Sequence, residues 1–248
     1  MRSTLDPIAL VHDFRMSMPP SYRRAHGLDA IQEHAAIVAR RGNAAVHVEL
    51  WRIRRGAVVV VATDERNEGL AMMSAAIASA GFDIVVAEAY RRARGTRPAE
   101  SVAFFELQRP ASDDGPITPN DVVPIGRALE SMIEGHMGAD SLLKRNARTV
   151  PPGRQGSPDV TFADDDEAAI LLVQARDRPG LLATVTSALT EAAARIIDSE
   201  IVTVAGRVRD RFQLTEATGG PLSPSRRLDI ARRVLAAIEQ SDPRSSRE

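Results

Sequence analysis

The segment Asp177-Arg178-Pro179-Gly180-Leu181-Leu182 places an acid, a fixed backbone torsion and a glycine where a strand-like run gives way to a helix-like one. Pro179 sets one φ, and Gly180 permits close approach or an unusual torsion. The first backbone N–H groups of a helix have no partner within it, so such a corner can seat a carboxylate. Asp177 could cap the helix or receive an ammonium group, and a compact zwitterion such as a free amino acid suits both ends. Pro-Gly after a strand is also a common turn and Asp before it a common cap. On spacing alone the corner therefore reads first as punctuation.

The elements that must position this corner follow from periodicity. Residues 19–41 read as helical, with Tyr22, Ile31, His34, Ala35 and Val38 near helical spacing and Gly42-Asn43 as a stop. From Val46 the period becomes two, and Ala57-Val58-Val59-Val60-Val61 is a β-branched run suited to a buried central strand. A turn over 63–68, a helix from Gly69 to near Gly81, strands over 82–90 and 101–107 and a helix over 120–134 follow. A proline-rich stretch ending in Pro151-Pro152-Gly153 reads as a linker. The order then recurs: a strand at 159–162, a turn at 164–167, a buried strand at 168–175, a helix at 181–193, a hairpin across Ala205-Gly206-Arg207 and a helix at 223–239.

A repeat at a spacing of roughly 115 residues thus organises the chain. We expect an α+β fold of two ferredoxin-like modules of βαββαβ type, with antiparallel sheets and helices on one face, plus an N-terminal helical segment. The expected divisions are a helical lead-in at 1–44, a first module at 45–135, a linker at 136–157, a second module at 158–242 and a tail at 243–248.

Several chemistries are disfavoured. The 248 residues are 44% apolar and 26% charged, with 32 basic against 33 acidic residues and a net charge of −1, so no global field draws the protein to nucleic acid or to a membrane. Lys144 is the sole lysine, which reflects composition more than selection for phosphate contacts. The absence of cysteine removes disulfides and thiolate chemistry. No apolar run approaches the ~20 residues that cross a bilayer, and the start lacks a signal-type core, so the chain reads as cytoplasmic.

No metal site or cofactor is expected. His12-Asp13 stands alone, and His26, His34, His47 and His136 form no i, i+4 pair. Asp164-Asp165-Asp166-Glu167 lacks the glycine of a calcium loop and reads as a solvated turn. The basic stretches Arg91-Arg92-Ala93-Arg94 and 207–211 read as solvated hairpin tips without stacking aromatics, and Trp51 as an anchor of a core or a module interface.

The Asp177 to Leu182 corner, preceded by Ile170-Leu171-Leu172-Val173-Gln174-Ala175 and followed by a helix and a strand from Ile196, resembles the signature of ACT domains. More narrowly, with Asp159-Val160-Thr161-Phe162 and the upstream Pro20-Ser21-Tyr22 segment, it is similar to the C-terminal ACT pair of bifunctional PII uridylyltransferase/uridylyl-removing enzymes. That resemblance implies paired regulatory modules that bind a small amino acid at the strand-helix turn and a domain interface. Glutamine is the ligand it favours, and nitrogen metabolism the setting.

Carried over by position, the ligand residues are Asp177, Arg178, Pro179, Gly180 and Leu181 in the second module, with Asp64, Asn67 and Gly69 in the first. The first turn departs from the pattern: it has no proline before Gly69, reads as longer, and carries Glu68, whose charge would repel a carboxylate. The family's nucleotidyltransferase motif and its His-Asp hydrolase domain have no counterpart here. Nucleotide transfer needs two carboxylates converging on a metal beside a phosphate-binding turn, and the one Gly-Ser pair, Gly156-Ser157, lies in the linker. The resemblance thus implies a non-catalytic amino-acid sensor, with a homodimer through exposed sheet edges as a further expectation. A uridylyltransferase-like enzyme or remnant acting on PII, and an interaction module without a ligand, are the alternatives.

Overall fold

The structure is a computed structural model that describes residues 7–53, 57–66, 68–110, 115–145, 156–163 and 169–241. The turn read at 164–167, Asn67 and the core of the proline-rich linker lie outside the described residues.

Three helices open the chain: α1 (Pro7–Ser17), α2 (Pro20–Ala25) and α3 (Leu28–Arg40). The first half continues as β1 (Val46–Ile53), β2 (Ala57–Asp64), α4 (Gly69–Ser79), β3 (Asp83–Arg94), β4 (Arg97–Gln108) and α5 (Pro119–Ile133). After α6 (Ala139–Arg145) the second half repeats the order: β5 (Asp159–Phe162), β6 (Ala169–Arg176), α7 (Leu181–Glu191), β7 (Ala194–Val204), β8 (Arg207–Glu216) and α8 (Pro224–Gln240). The fold is α+β, as expected, but each half runs ββαββα where βαββαβ was expected. The edge strand comes first in each half because β1 and β5 pair antiparallel with the strands that directly follow them, β2 and β6. The segment read wholly as a linker also contains α6.

All strands join one antiparallel sheet in the order β1-β2-β4-β3-β7-β8-β6-β5. The second four strands mirror the first four. The halves meet where β3 pairs with β7, in a register that sets Glu88 opposite Glu200. Glu88 and Glu200 are also each other's counterparts, since Glu88 faces Phe104 on β4 and Glu200 faces Arg211 on β8 at matching positions. A local two-fold axis therefore passes between them.

One face of this sheet carries the helices of both halves. There α4 packs against α7 at the centre, while α5 lies beside β1 and α8 beside β5 at the flanks. Every residue of α4 from Gly69 to Ile77 is buried, which accounts for a helix made almost entirely of Ala, Met, Leu and Ile. The opposite face of the first half carries α1 to α3, which cover Val60, Ala62, Val102 and Phe104 with Phe14, Met18, Tyr22, Ile31 and Val38. Both faces of β2 are thus covered, and its unbroken valine run follows from that. Within this layer His34 is fully buried and accepts from or donates to the Tyr22 hydroxyl at 2.7 Å, and burial holds its pKa down at about 3. Trp51 packs on this N-terminal layer, against His34.

Candidate functional site

The Asp177 corner is a type II turn leading into a helix. Leu181 N–H donates to the Arg178 carbonyl at 3.1 Å, Pro179 sits between, and Gly180 adopts φ 80 and ψ 0, the conformation that favours glycine at this place. The N-cap of α7 is Gly180, which has no side chain to cap the first turn. Asp177 N–H donates to the Gly206 carbonyl at 2.9 Å, which ties the corner to the β7–β8 hairpin. The Asp177 carboxyl accepts from the Arg178 backbone N–H, yet its pKa is raised, first by burial and then by the negative charge of Asp83. The Arg178 guanidinium donates to the Ile238 carbonyl at 2.9 Å and to the Ser241 hydroxyl, so it completes the C-terminal end of α8. Leu181 is buried in the common core.

A side chain from outside the second half roofs the corner. A Cβ on Gly180 would lie 3.2 Å from Leu143 Cδ2 of α6, and φ +80 is itself unfavourable for an L side chain. Gly180→Ala is therefore expected to cost about 1–2 kcal/mol. Urea unfolding would measure it, and an unchanged midpoint would mean that neither the torsion nor the contact constrains the turn.

The first turn has the same length, contrary to the longer turn expected. Four residues separate β2 from α4, as they do β6 from α7. Gly69 N–H donates to the Arg66 carbonyl at 3.0 Å and Glu65 N–H to the Ala99 carbonyl at 2.8 Å, repeating the bonds of Leu181 and Asp177. Gly69 is thus the counterpart of Leu181, while Glu68, at φ −87 and ψ 3, stands at the place of Gly180. Glu65, and not Asp64, matches Asp177. Asp64 lies one residue earlier on the strand, so it joins the other side of the sheet, where its carboxylate accepts from the buried Arg41 guanidinium at 3.0 Å. Arg41 also donates to Glu100 at 2.8 Å, and Arg92 reaches Glu100 at 2.8 Å. The Arg91 to Arg94 hairpin, read as solvated, is therefore largely committed to ion pairs.

The first turn looks across the axis at the second half. Glu65, Arg66, Arg91, Ser101, Ala103 and Arg195 help to line a cleft of about 40 Å³, in which β7 of the second half supplies Arg195. Glu65 is neutralised there by Arg91 at 2.6 Å, with Arg195 at 3.9 Å. Bulges after Ile84 and after Ile196 align the two strands and make Asp83 the counterpart of Arg195. Asp83 thus stands at the strand position beside the second turn that Arg195 holds beside the first. Asp210, on the neighbouring strand β8, was not singled out from sequence. Asp210 faces Val173 and Ile201 as Ala103 faces Val61 and Ala89. Its side chain is 3% exposed on the helix side of the sheet, and neither carboxylate oxygen has a hydrogen-bond partner among the described residues.

The fold is that of an α+β protein of two like halves that share one sheet about a local two-fold, with a cleft beside the first strand-to-helix turn that residues of both halves line. Its sequence resembles the bifunctional uridylyltransferase/uridylyl-removing enzymes. That of Caulobacter vibrioides is 26% identical over 233 residues, covering 91% of this chain and 24% of the relative. That of Rhodospirillum rubrum is 25% identical over 226 residues, covering 87% and 24%. That of Rhodopseudomonas palustris is 26% identical over 180 residues, covering 70% and 19%. The chain spans about a quarter or less of the length of these relatives. No protein-family profile matches it. An unknown protein from Galdieria sulphuraria overlaps 74% of this chain and 88% of its own at 16% identity, with a TM-score of 0.21, too low to relate the folds.

Proposed function

We propose that this chain is a regulatory sensor of a small amino acid, built from two ACT-type modules and acting within the nitrogen-linked regulation that the uridylyltransferase/uridylyl-removing relatives suggest. The observation that carries the reading is the placement of both strand-to-helix turns at the boundary between halves, where a ligand would touch one half through a helix start and the other through a strand end. Such a ligand favours the state in which both contacts are made and so biases how the halves engage. The first turn of α7, whose N-cap is a glycine, suits a carboxylate. The acids Asp177 and Asp83 suit an ammonium group. Glutamine is the first candidate because of the resemblance to those enzymes.

The reading concerns this segment's regulatory role, and the catalytic activities in the relatives' names are not assigned to it. A thermal-shift screen of the twenty amino acids tests it directly. At a concentration about 100 times its dissociation constant, a true ligand adds about 2.7 kcal/mol of stability. Absence of any shift at millimolar concentration across the panel would overturn the sensor.

A further inference from the structure

We propose that the corner between helix α2 and strands β3, β7 and β8 is a second ligand site, in which the Asp198 carboxylate takes the N–H-bearing head of a small organic cation. The site lies on the face of the sheet away from α4 and α7. It does not depend on whether the strand-to-helix turns hold a ligand.

The corner follows from the unequal covering of the sheet. The apolar layer under α1 to α3 contains residues of the first half alone, and where it ends at α2 a step is left above the second half. In that step lies an open-sided cavity of about 370 Å³, within the size range of small-molecule sites. Arg24 and Ala25 of α2 help to form its wall. Its floor is set by strand pairing: Asp198 on β7 stands opposite Tyr90 on β3, Glu200 opposite Glu88, and Arg211 on β8 opposite Glu200.

Asp198 is the member of this floor that the fold does not call for. The local two-fold makes Val86 its counterpart in the first half, so an apolar side chain can hold that strand position. The Asp198 side chain is 7% exposed, and a carboxylate buried this far ordinarily has partners that replace its lost water. Its one hydrogen-bond or ion-pair partner among the described residues is Arg211, whose Nη1 lies 3.4 Å from Oδ1. That is long for a charge-assisted bond, and Oδ2 has no hydrogen bond among those residues.

The surrounding charges favour a cation for that oxygen. Three carboxylates line the cavity, those of Glu88, Asp198 and Glu200, against the two guanidinium groups of Arg24 and Arg211. Glu200 faces Glu88 directly across the strands, where like charges repel. Glu88 is already engaged, since the Tyr90 hydroxyl donates to it at 3.0 Å and His26 Nε2 lies 3.0 Å away. Glu200 and Asp198, two residues apart on one face of β7, are left to share Arg211. Depth decides the sign of the ligand: the Arg211 side chain is 39% exposed and Arg24 is exposed, whereas Asp198 is buried. A cationic head between Asp198 and Glu200 would satisfy Oδ2 and offset the repulsion between the acids.

The class of cation follows from the same residues. Among the described residues no three acidic or histidine side chains converge as a metal ion requires. An ammonium or guanidinium head brings its own N–H donors, and the cavity has room for the carbon chain behind it.

The test titrates the full chain and its Asp198→Asn and Ala25→Trp variants by calorimetry at low salt, where exposed charges are least screened. The probes are butylamine, butylguanidine and tetramethylammonium, the last a cation of the same charge without an N–H donor. Ala25 is exposed on the cavity wall, so an indole there fills the cavity without entering the core. Expected is binding of butylamine or butylguanidine at least about tenfold tighter than tetramethylammonium, weakened at least about tenfold by Asp198→Asn and abolished by Ala25→Trp. The tighter of the two heads then identifies the ligand as an amine or a guanidine. If Asp198→Asn does not fold, Ala25→Trp decides alone. Silence from both N–H cations at millimolar concentration, equal affinity for tetramethylammonium, or binding unchanged in either variant would overturn the site.

Discussion

Asp210→Asn is expected to stabilise the ligand-free protein by several kcal/mol at pH 8 and to leave it nearly unchanged near pH 4. Burial, then the charge of Asp177, pushes the Asp210 carboxyl up to about 8. The folded protein therefore keeps a proton that the unfolded chain releases near pH 4. With more protons bound in the folded state, stability falls as pH rises, by up to ~1.4 kcal/mol per pH unit between about pH 4 and about 8. Below that window both states are protonated and the carboxyl costs little. Asp177 is shifted in the same direction by burial and by Asp83, so the variant should show a shallower slope and not a flat line. Urea midpoints at about pH 4, 6 and 8 measure the difference, and parallel pH profiles for the two proteins would show that Asp210 is solvated or paired in solution.

The opposite sign and a comparable size are expected for Glu100→Ala, at about 3–5 kcal/mol of lost stability. Glu100 is 2% exposed and accepts from Arg41 Nε at 2.8 Å and from Arg92 Nη1 at 2.8 Å. The Arg41 side chain is 3% exposed, and without Glu100 its remaining partners among the described residues would be Asp64 and the Ala44 carbonyl. A buried guanidinium stripped of its nearest counter-charge pays its desolvation without return. Pairing the change with Arg41→Met removes that orphaned charge, so the double variant should lose less than the two single changes added together. Chemical denaturation of the three proteins tests this, and a loss under about 1 kcal/mol for Glu100→Ala would reduce the cluster to an ordinary surface pair.

Much of this architecture could be read from periodicity, because the strands have simple burial patterns. The valine run of β2 reads as a doubly covered strand, and Tyr22, Ile31, His34, Ala35 and Val38 of the N-terminal layer are all buried as their spacing implied. Within the lead-in expected to be helical over 1–44, α1 has no spacing of its own that places it, since Ile8 and Met16 are exposed and Phe14 is its single buried residue. The pairing of β3 with β7 carries no local signal, because register between distant strands depends on which edges meet. At the site, the corner at Asp177 was visible through its Pro-Gly pair, whereas its true counterpart Glu65 was missed by one residue. A shift of one along a strand changes the face, which is why Asp64 belongs to the Arg41 cluster instead. Asp210 was hidden in a run that looks basic, Arg207-Val208-Arg209-Asp210-Arg211. Alternation was the available clue, since it groups the acid with Val208 and Phe212 and puts the arginines on the other side.

The unequal covering of the sheet sets how the molecule can be divided in the laboratory. A fragment cut at Val46 to isolate the first half would strip α1 to α3 from Val60, Ala62, Val102 and Phe104, turning a buried apolar layer into a sticky surface. The second half bears exposed Gln174 and Arg209 on the equivalent face and has no such debt. Expression boundaries for the first half therefore belong ahead of Pro7, with the opening helices retained as part of its fold.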